Sequence, residues 1–102
     1  MACSLRATEL GIRYSTIEQE TRIGGTVAAY PRRKMVMTQP VELPLVGKLP
    51  RLTYQKEELV EVWENAAGEH ALPIRTGVRL LNLSRDGDGA FIAETSDGPI
   101  RA

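Results

Sequence analysis

The stretch YSTIEQETRIGGT, residues 14–26, combines a strand pattern, an acid and a pair of glycines. Residues 12–18 are rich in β-branched and aromatic side chains, which favours a β-strand. Glu18 ends this strand, and Gly24 follows it after six positions, with Gly25 beside it. Adjacent glycines allow the backbone to approach a neighbouring group closely with its amides free. The fold and function inferred for the chain therefore depend on what Glu18 and the glycine pair do together.

The residues before this stretch predict a helix. Residues 1–10, MACSLRATEL, are mostly compatible with a helix, and Gly11 suits the left-handed conformation that often ends one. In a dinucleotide-binding βαβ unit, the acid that ends the second strand accepts hydrogen bonds from the adenosine ribose. A carboxylate suits that role because its two oxygens match two vicinal hydroxyls. The alternative is that Glu18 is a solvated loop acid.

Residues 26–52 are punctuated by four prolines, which exclude a long regular helix. They also include several apolar side chains, so a disordered linker is not expected. A segment of this length without secondary structure is uncommon in compact domains and is usually functional. We expect an ordered loop that lies against another part of the domain and includes at most a short helical turn.

The clearest predicted helix covers residues 56–71, with Thr53 or Gln55 as its cap. Its apolar residues recur at three- and four-residue spacing and form one face: Leu59, Val62, Trp63, Ala66 and Ala67. On this pattern Trp63 is expected in the core rather than as a stacking surface for a ligand.

The last third of the chain predicts β-structure. Residues 72–78 are expected to form a short strand, and residues 79–102 two antiparallel strands joined at DGDG, residues 86–89. A second turn at SDGP, residues 96–99, introduces a further strand. The order of elements predicts an α/β layer with an appended antiparallel sheet.

Composition limits the classes of function. The chain has 102 residues, thirteen basic and thirteen acidic, so it suits one small domain and gives no electrostatic reason to expect nucleic acid or an anionic membrane as a partner. A single cysteine and a single histidine provide neither an internal disulfide nor a structural zinc site. No apolar run is long enough to cross a bilayer and the first ten residues lack a signal-peptide layout, so the expected location is cytoplasmic.

The pattern E-Q-E-x-R-I-G-G-T, residues 18–26, followed by the proline-punctuated segment, resembles the first nucleotide-binding domain of FAD-dependent pyridine nucleotide-disulfide oxidoreductases. It is most similar to the thioredoxin reductase-like and bacillithiol disulfide reductase-like branch, which also includes relatives of flavin-containing monooxygenases. The resemblance extends over nearly the whole chain. It implies a partial Rossmann-like FAD/NAD(P)-binding domain with an appended antiparallel β-hairpin.

This resemblance divides residues 1–102 into four parts. Residues 1–25 form a helix–strand–glycine unit, residues 26–52 a proline-rich loop beside the cofactor, residues 53–77 a helix and strand, and residues 78–102 the antiparallel hairpin. The implied FAD-binding residues are Glu18, Gln19, Gly24, Gly25, Thr26, Thr38 and Val78. Glu18 would hold the adenosine ribose beside Gln19, while Gly25 and Thr26 would contact the pyrophosphate or the ribityl-flavin portion.

For the other two positions, the resemblance implies that Thr38 lies near the flavin ring and that the backbone of Val78 meets the adenine edge. The sequence departs from the family where G-x-G-x-x-G, the first strand, C-x-x-C and the NAD(P)H domain are absent. We therefore expect a fragment of a larger flavoprotein that binds FAD, uses NAD(P)H and carries no catalytic side chain of its own. The alternatives are a non-catalytic α/β domain that binds a partner or forms a homodimer, and a fragment of a flavin monooxygenase.

Overall fold

A computed structural model describes all of residues 1–102, which form three helices and nine short strands. The helices are α1 (Ala2–Glu9), α2 (Gly25–Ala28) and α3 (Lys56–Glu69). The strands are β1 (Thr16–Glu18), β2 (Met35–Met37), β3 (Val41–Leu43), β4 (Gly47–Leu49), β5 (Thr53–Gln55), β6 (Ile74–Thr76), β7 (Leu80–Arg85), β8 (Phe91–Thr95) and β9 (Gly98–Arg101). The fold is mixed α/β, with four small sheets.

The only parallel pair joins β1 to β6, with Glu18 opposite Thr76. A parallel pair needs a long crossover between its strands, and here the crossover includes α3. Both strands are shorter than the sequence predicts. The β1 strand begins at Thr16 rather than at residue 12, because the amide of Ile12 donates to the carbonyl of Ala7 and closes the end of α1.

That helix end confirms the role predicted for Gly11. Its φ is +67°, and the amides of Gly11 and Ile12 donate to the carbonyls of Thr8 and Ala7. This is the Schellman arrangement, which satisfies carbonyls that would otherwise have no partner at the helix end. The same pattern ends α3, where Ala71 adopts φ +48° although it is not a glycine.

Residues 26–52 are ordered but hold more regular structure than the loop expected there. They contain most of α2 and all of β2, β3 and β4. The β3 and β4 strands form a hairpin, whereas β2 pairs antiparallel with β5, which brings Met35 opposite Gln55. All four prolines of this segment lie outside the strands, where a missing amide does not disrupt a ladder.

The core lies between α1, α3 and the start of β6. Leu5 of α1 is fully buried and packs with Ala67 and Leu72. On α3, Val60 is buried and Val62 is only half-buried, so the face predicted from spacing is rotated towards α2. Gln55 precedes the helix as its cap, as predicted.

The protein is open for its size. Only 10 of its 102 residues are buried, and its accessible surface is 7119 Å². A compact monomer of this mass exposes about 5,700 Å². The radius of gyration of 15.5 Å also exceeds the ~13 Å expected for a compact domain of this length.

The antiparallel hairpin and the further strand predicted for residues 79–102 are confirmed as the sheet β7–β8–β9. The turn between β7 and β8 is held by Asp86, whose Oδ1 accepts the amides of Asp88 and Ala90 at 2.9 and 3.0 Å. Polar contacts such as the Arg75–Asp97 ion pair attach the sheet to the rest of the chain. None of the three helices has the length and hydropathy that crossing a membrane requires.

Candidate functional site

A cleft of about 260 Å³ opens at the carboxyl end of β1. It lies between the β1–β6 pair, the glycine turn and α3. Most of its lining is apolar, and Glu18 is its only charged side chain. The lining residues are Met1, Thr16, Ile17, Glu18, Ile23, Gly24, Gly25, Trp63 and Ile74.

Glu18 is half-buried and its carboxylate is held in place by the chain that follows it. Its Oε1 accepts the amide of Glu20 at 3.0 Å, while Oε2 lies 3.6 Å from the point where a Cβ on Gly25 would stand. Its backbone carbonyl accepts the amide of Val78 at 2.9 Å. One carboxylate oxygen is therefore used within the turn, and the other faces the open space beside Gly25.

The two glycines have different structural reasons. Gly24 has φ +113° and precedes α2, and a Cβ there would lie 3.1 Å from the Cβ of Ala28 and 3.2 Å from Cγ2 of Val60. Its missing side chain thus lets the turn pack against α3. Gly25 has φ +50°, and its Cβ would meet only Glu18. The absence of a side chain at Gly25 keeps the space beside the carboxylate free.

Trp63 reaches this site although the sequence predicted it in the core. It is half-buried on α3 and forms part of the cleft wall. The spacing of apolar residues correctly placed Trp63 on the apolar side of α3, but it carries no information about which element lies opposite. Its position against the glycine turn follows from the tertiary packing of α2 on α3.

The seven predicted cofactor-binding residues separate into two groups. Glu18, Gly24 and Gly25 line the cleft, and Val78 is bonded to Glu18 while lying buried behind it. Three residues do not line the cleft: Gln19, Thr26 and Thr38. Gln19 and Thr26 are exposed.

Thr38 is used within the chain. Its hydroxyl donates to the carbonyl of Arg51 at 2.9 Å, and its amide donates to the carbonyl of Leu52 at 2.7 Å. These bonds extend the β2–β5 pairing by one residue on each strand. The structure thus gives Thr38 a local structural role at a place separate from the cleft.

The charged groups with shifted pKa values lie around the start of α3. The guanidinium of Arg51 donates to Glu58 and, together with the amide of Gln55, holds the pKa of Glu58 below its usual range. The Glu58 carboxylate in turn raises the pKa of Arg51. The pKa of Glu57 is lowered mainly because the amide of Arg33 donates to its carboxylate at 3.0 Å.

None of these groups lines the cleft, so their contribution is to the stability of α3. At no place do three or more His, Cys, Asp or Glu side chains come together to hold a metal ion.

Known proteins resemble this chain in structure rather than in sequence. No family model and no curated protein matches the sequence. Among solved structures, the bacillithiol disulfide reductase from Bacillus cereus matches with a TM-score of 0.67 and 16% sequence identity. The match covers 98% of this chain and 32% of that enzyme, so the chain spans about a third of its length. The similarity is one of fold: this chain has the fold of part of a disulfide reductase.

Proposed function

We propose that this chain is the part of an FAD-dependent oxidoreductase that holds the adenosine half of the cofactor. The observation that carries the proposal is the position of Glu18, whose Oε2 faces the cleft beside Gly25. The fold shared with part of a bacillithiol disulfide reductase supports it. The residue pattern from Glu18 to Thr26 is a second and separate support.

The residues present fit an adenosine ribose. A carboxylate at the carboxyl end of a parallel strand is an acceptor for two vicinal hydroxyls, and the missing side chain at Gly25 leaves room beside it. The cleft volume of about 260 Å³ is close to the lower limit of the ~300–1,000 Å³ typical of ligand sites. The cleft therefore suits one half of a dinucleotide rather than all of it.

In this proposal the parallel pair β1–β6 with α3 is the remnant of a Rossmann-like sheet. The amide of Val78 already donates to Glu18, so its carbonyl is the group proposed to meet the adenine edge. Gln19 would neighbour the adenosine from its exposed position, and Thr26 would contact the pyrophosphate or ribityl portion. We place Thr38 furthest from the adenosine, towards the flavin ring.

The chemistry of the whole protein is proposed from the same resemblance. FAD supplies the electron transfer when bound, with NAD(P)H as hydride donor and a disulfide, quinone, ferredoxin or oxygen as acceptor. The residues of this chain would bind and orient the cofactor. Glu18 would fix the ribose, and Trp63 and the isoleucines of the cleft would exclude water from the adenosine.

The single tryptophan of the chain lines the cleft, so its fluorescence reports on this site. We expect FAD and ADP to quench Trp63 with saturation, and FMN, which lacks the adenosine, to quench it only weakly. Replacing Glu18 with glutamine removes a charge-assisted acceptor worth about 1.5–3 kcal/mol, so the dissociation constant should rise about 10–100-fold. The control is Glu61→Gln, an equal change of charge at an exposed position on α3 outside the cleft.

The proposal is wrong if FAD and ADP leave the fluorescence unchanged at millimolar concentration. It also fails if Glu18→Gln and Glu61→Gln bind ADP equally well, because the cleft would then not use the carboxylate.

A further inference from the structure

The sheet β7–β8–β9 has one apolar face that nothing in the chain covers. The register places Leu83 opposite Ala93 and Ala93 opposite Ile100, so these three side chains share a face. Phe91 lies on it two residues from Ala93, and Leu80 joins it because it pairs with Thr95. We call this set the apolar sheet face: Leu80, Leu83, Phe91, Ala93 and Ile100.

The opposite face is polar, which marks the sheet as one-sided. It carries Asn82, Ser84, Glu94 and Arg101 together with Ile92 and Pro99. An antiparallel sheet with alternating apolar and polar positions normally packs its apolar side on a core. Here Leu80, Leu83 and Phe91 are 50%, 57% and 46% exposed, and no helix or strand outside the sheet packs extensively on it.

The exposed area has the size of a protein interface. The accessible surface of 7119 Å² exceeds that of a compact monomer of this mass by about 1,400 Å². A stable interface removes about 800 Å² from each partner. The surplus is therefore sufficient for one such interface per chain.

The charges favour a second copy of the same chain. The net charge is zero at pH 7, so two copies do not repel each other. The charged groups near the sheet are already paired within the chain, Arg101 with Asp86 and Arg75 with Asp97. The surface thus has no surplus of one charge to select a partner of the opposite sign, and an apolar face of this kind is complementary to itself.

We infer that two copies of this chain form a symmetric dimer by stacking their apolar sheet faces. The inference does not rest on the proposed FAD site, which lies elsewhere. Stacked sheets lie about 10 Å apart with their strands nearly aligned. A two-fold axis near Ala93, on the central strand, would point the two hairpin ends in opposite directions. The Arg85 guanidinium, 4.7 Å from the Phe91 ring centroid, would then not face its own copy.

The oligomeric state tests this inference. Sedimentation equilibrium and light scattering should give twice the chain mass of 11.3 kDa, with dissociation on dilution. Leu83→Lys places a charge in the centre of the face and should raise the dissociation constant of the dimer at least tenfold. Ser84→Lys makes the same charge change one residue away on the polar face and should leave the dimer intact. A monomeric wild-type protein at several hundred micromolar would overturn the inference, as would equal dissociation constants for the two variants.

Cross-linking tests the same face without adding a charge. In a Cys3→Ser background, Ala93→Cys places a thiol near the expected axis, and a short bismaleimide should join two copies. Ser84→Cys puts the thiol on the polar face and should give no covalent dimer. If Ser84→Cys cross-links as efficiently as Ala93→Cys, the apolar sheet face is not the interface.

Discussion

Replacing Gly24 with alanine should destabilise the fold by about 2–4 kcal/mol. Gly24 has φ +113°, outside the range that a side chain tolerates well, and such a conformation costs about 1–3 kcal/mol in a residue other than glycine. The added Cβ would also stand 3.1 Å from the Cβ of Ala28 and 3.2 Å from Cγ2 of the buried Val60. Forcing a methyl group into a packed site costs about 1–3 kcal/mol more.

Part of this loss is offset because alanine restricts the unfolded chain, which is worth about 0.4–1 kcal/mol. The net loss is still a large share of the ~5–15 kcal/mol that stabilises an ordinary domain. It corresponds to a fall in Tm of about 10–25 °C at this chain length.

The assay is urea unfolding followed by far-UV circular dichroism, with Gly68→Ala as the matched control. Gly68 lies within α3 and an added Cβ there meets no atom within 4 Å. The same substitution should therefore stabilise α3 by about 0.5–1 kcal/mol. The reasoning is refuted if Gly24→Ala lies within about 0.5 kcal/mol of the wild type, or if Gly68→Ala is the more damaging change.

Two further predictions concern α3. The pKa values of Glu57 and Glu58 are lowered in the folded state, so the stability that they provide is present above their unfolded pKa of about 4.3 and is lost as pH falls through the folded values. Unfolding midpoints measured from pH 6 to pH 3 should therefore fall less steeply for Glu58→Gln than for the wild type, and parallel curves would contradict this. Ala71→Gly should raise the stability by about 0.5–1 kcal/mol, because Ala71 has φ +48° at the end of α3 and glycine adopts that conformation without steric cost. A lower Tm for Ala71→Gly would show that the left-handed residue carries no strain.

Local features of the sequence were predicted well because their causes lie within a few residues. The helix α3 follows from its apolar spacing, and the hairpin follows from DGDG, where Asp86 accepts two amides of its own turn. Gly11 ends α1 as expected, since a left-handed residue is required there whatever surrounds it. The glycine pair beside Glu18 was predicted on the same basis.

Features that depend on distant partners were not predicted. The β2 strand exists because Val36 meets Tyr54 eighteen residues later, and nothing in the local sequence of residues 26–52 specifies that pairing. The same holds for Thr38, whose hydroxyl is taken by the carbonyl of Arg51 and is thus kept from the cleft.

The sequence by itself determined where this chain turns, which residues can form its long helix, and that an acid and two glycines stand close together along the chain. Only the tertiary structure decided that Trp63 borders the same cleft as Glu18, and that the apolar face of β7–β9 remains uncovered. The physical reason is that capping and turn formation are decided by neighbours in the chain. Burial depends on which surfaces meet in space, and it is the sum of many weak contacts between residues far apart in sequence.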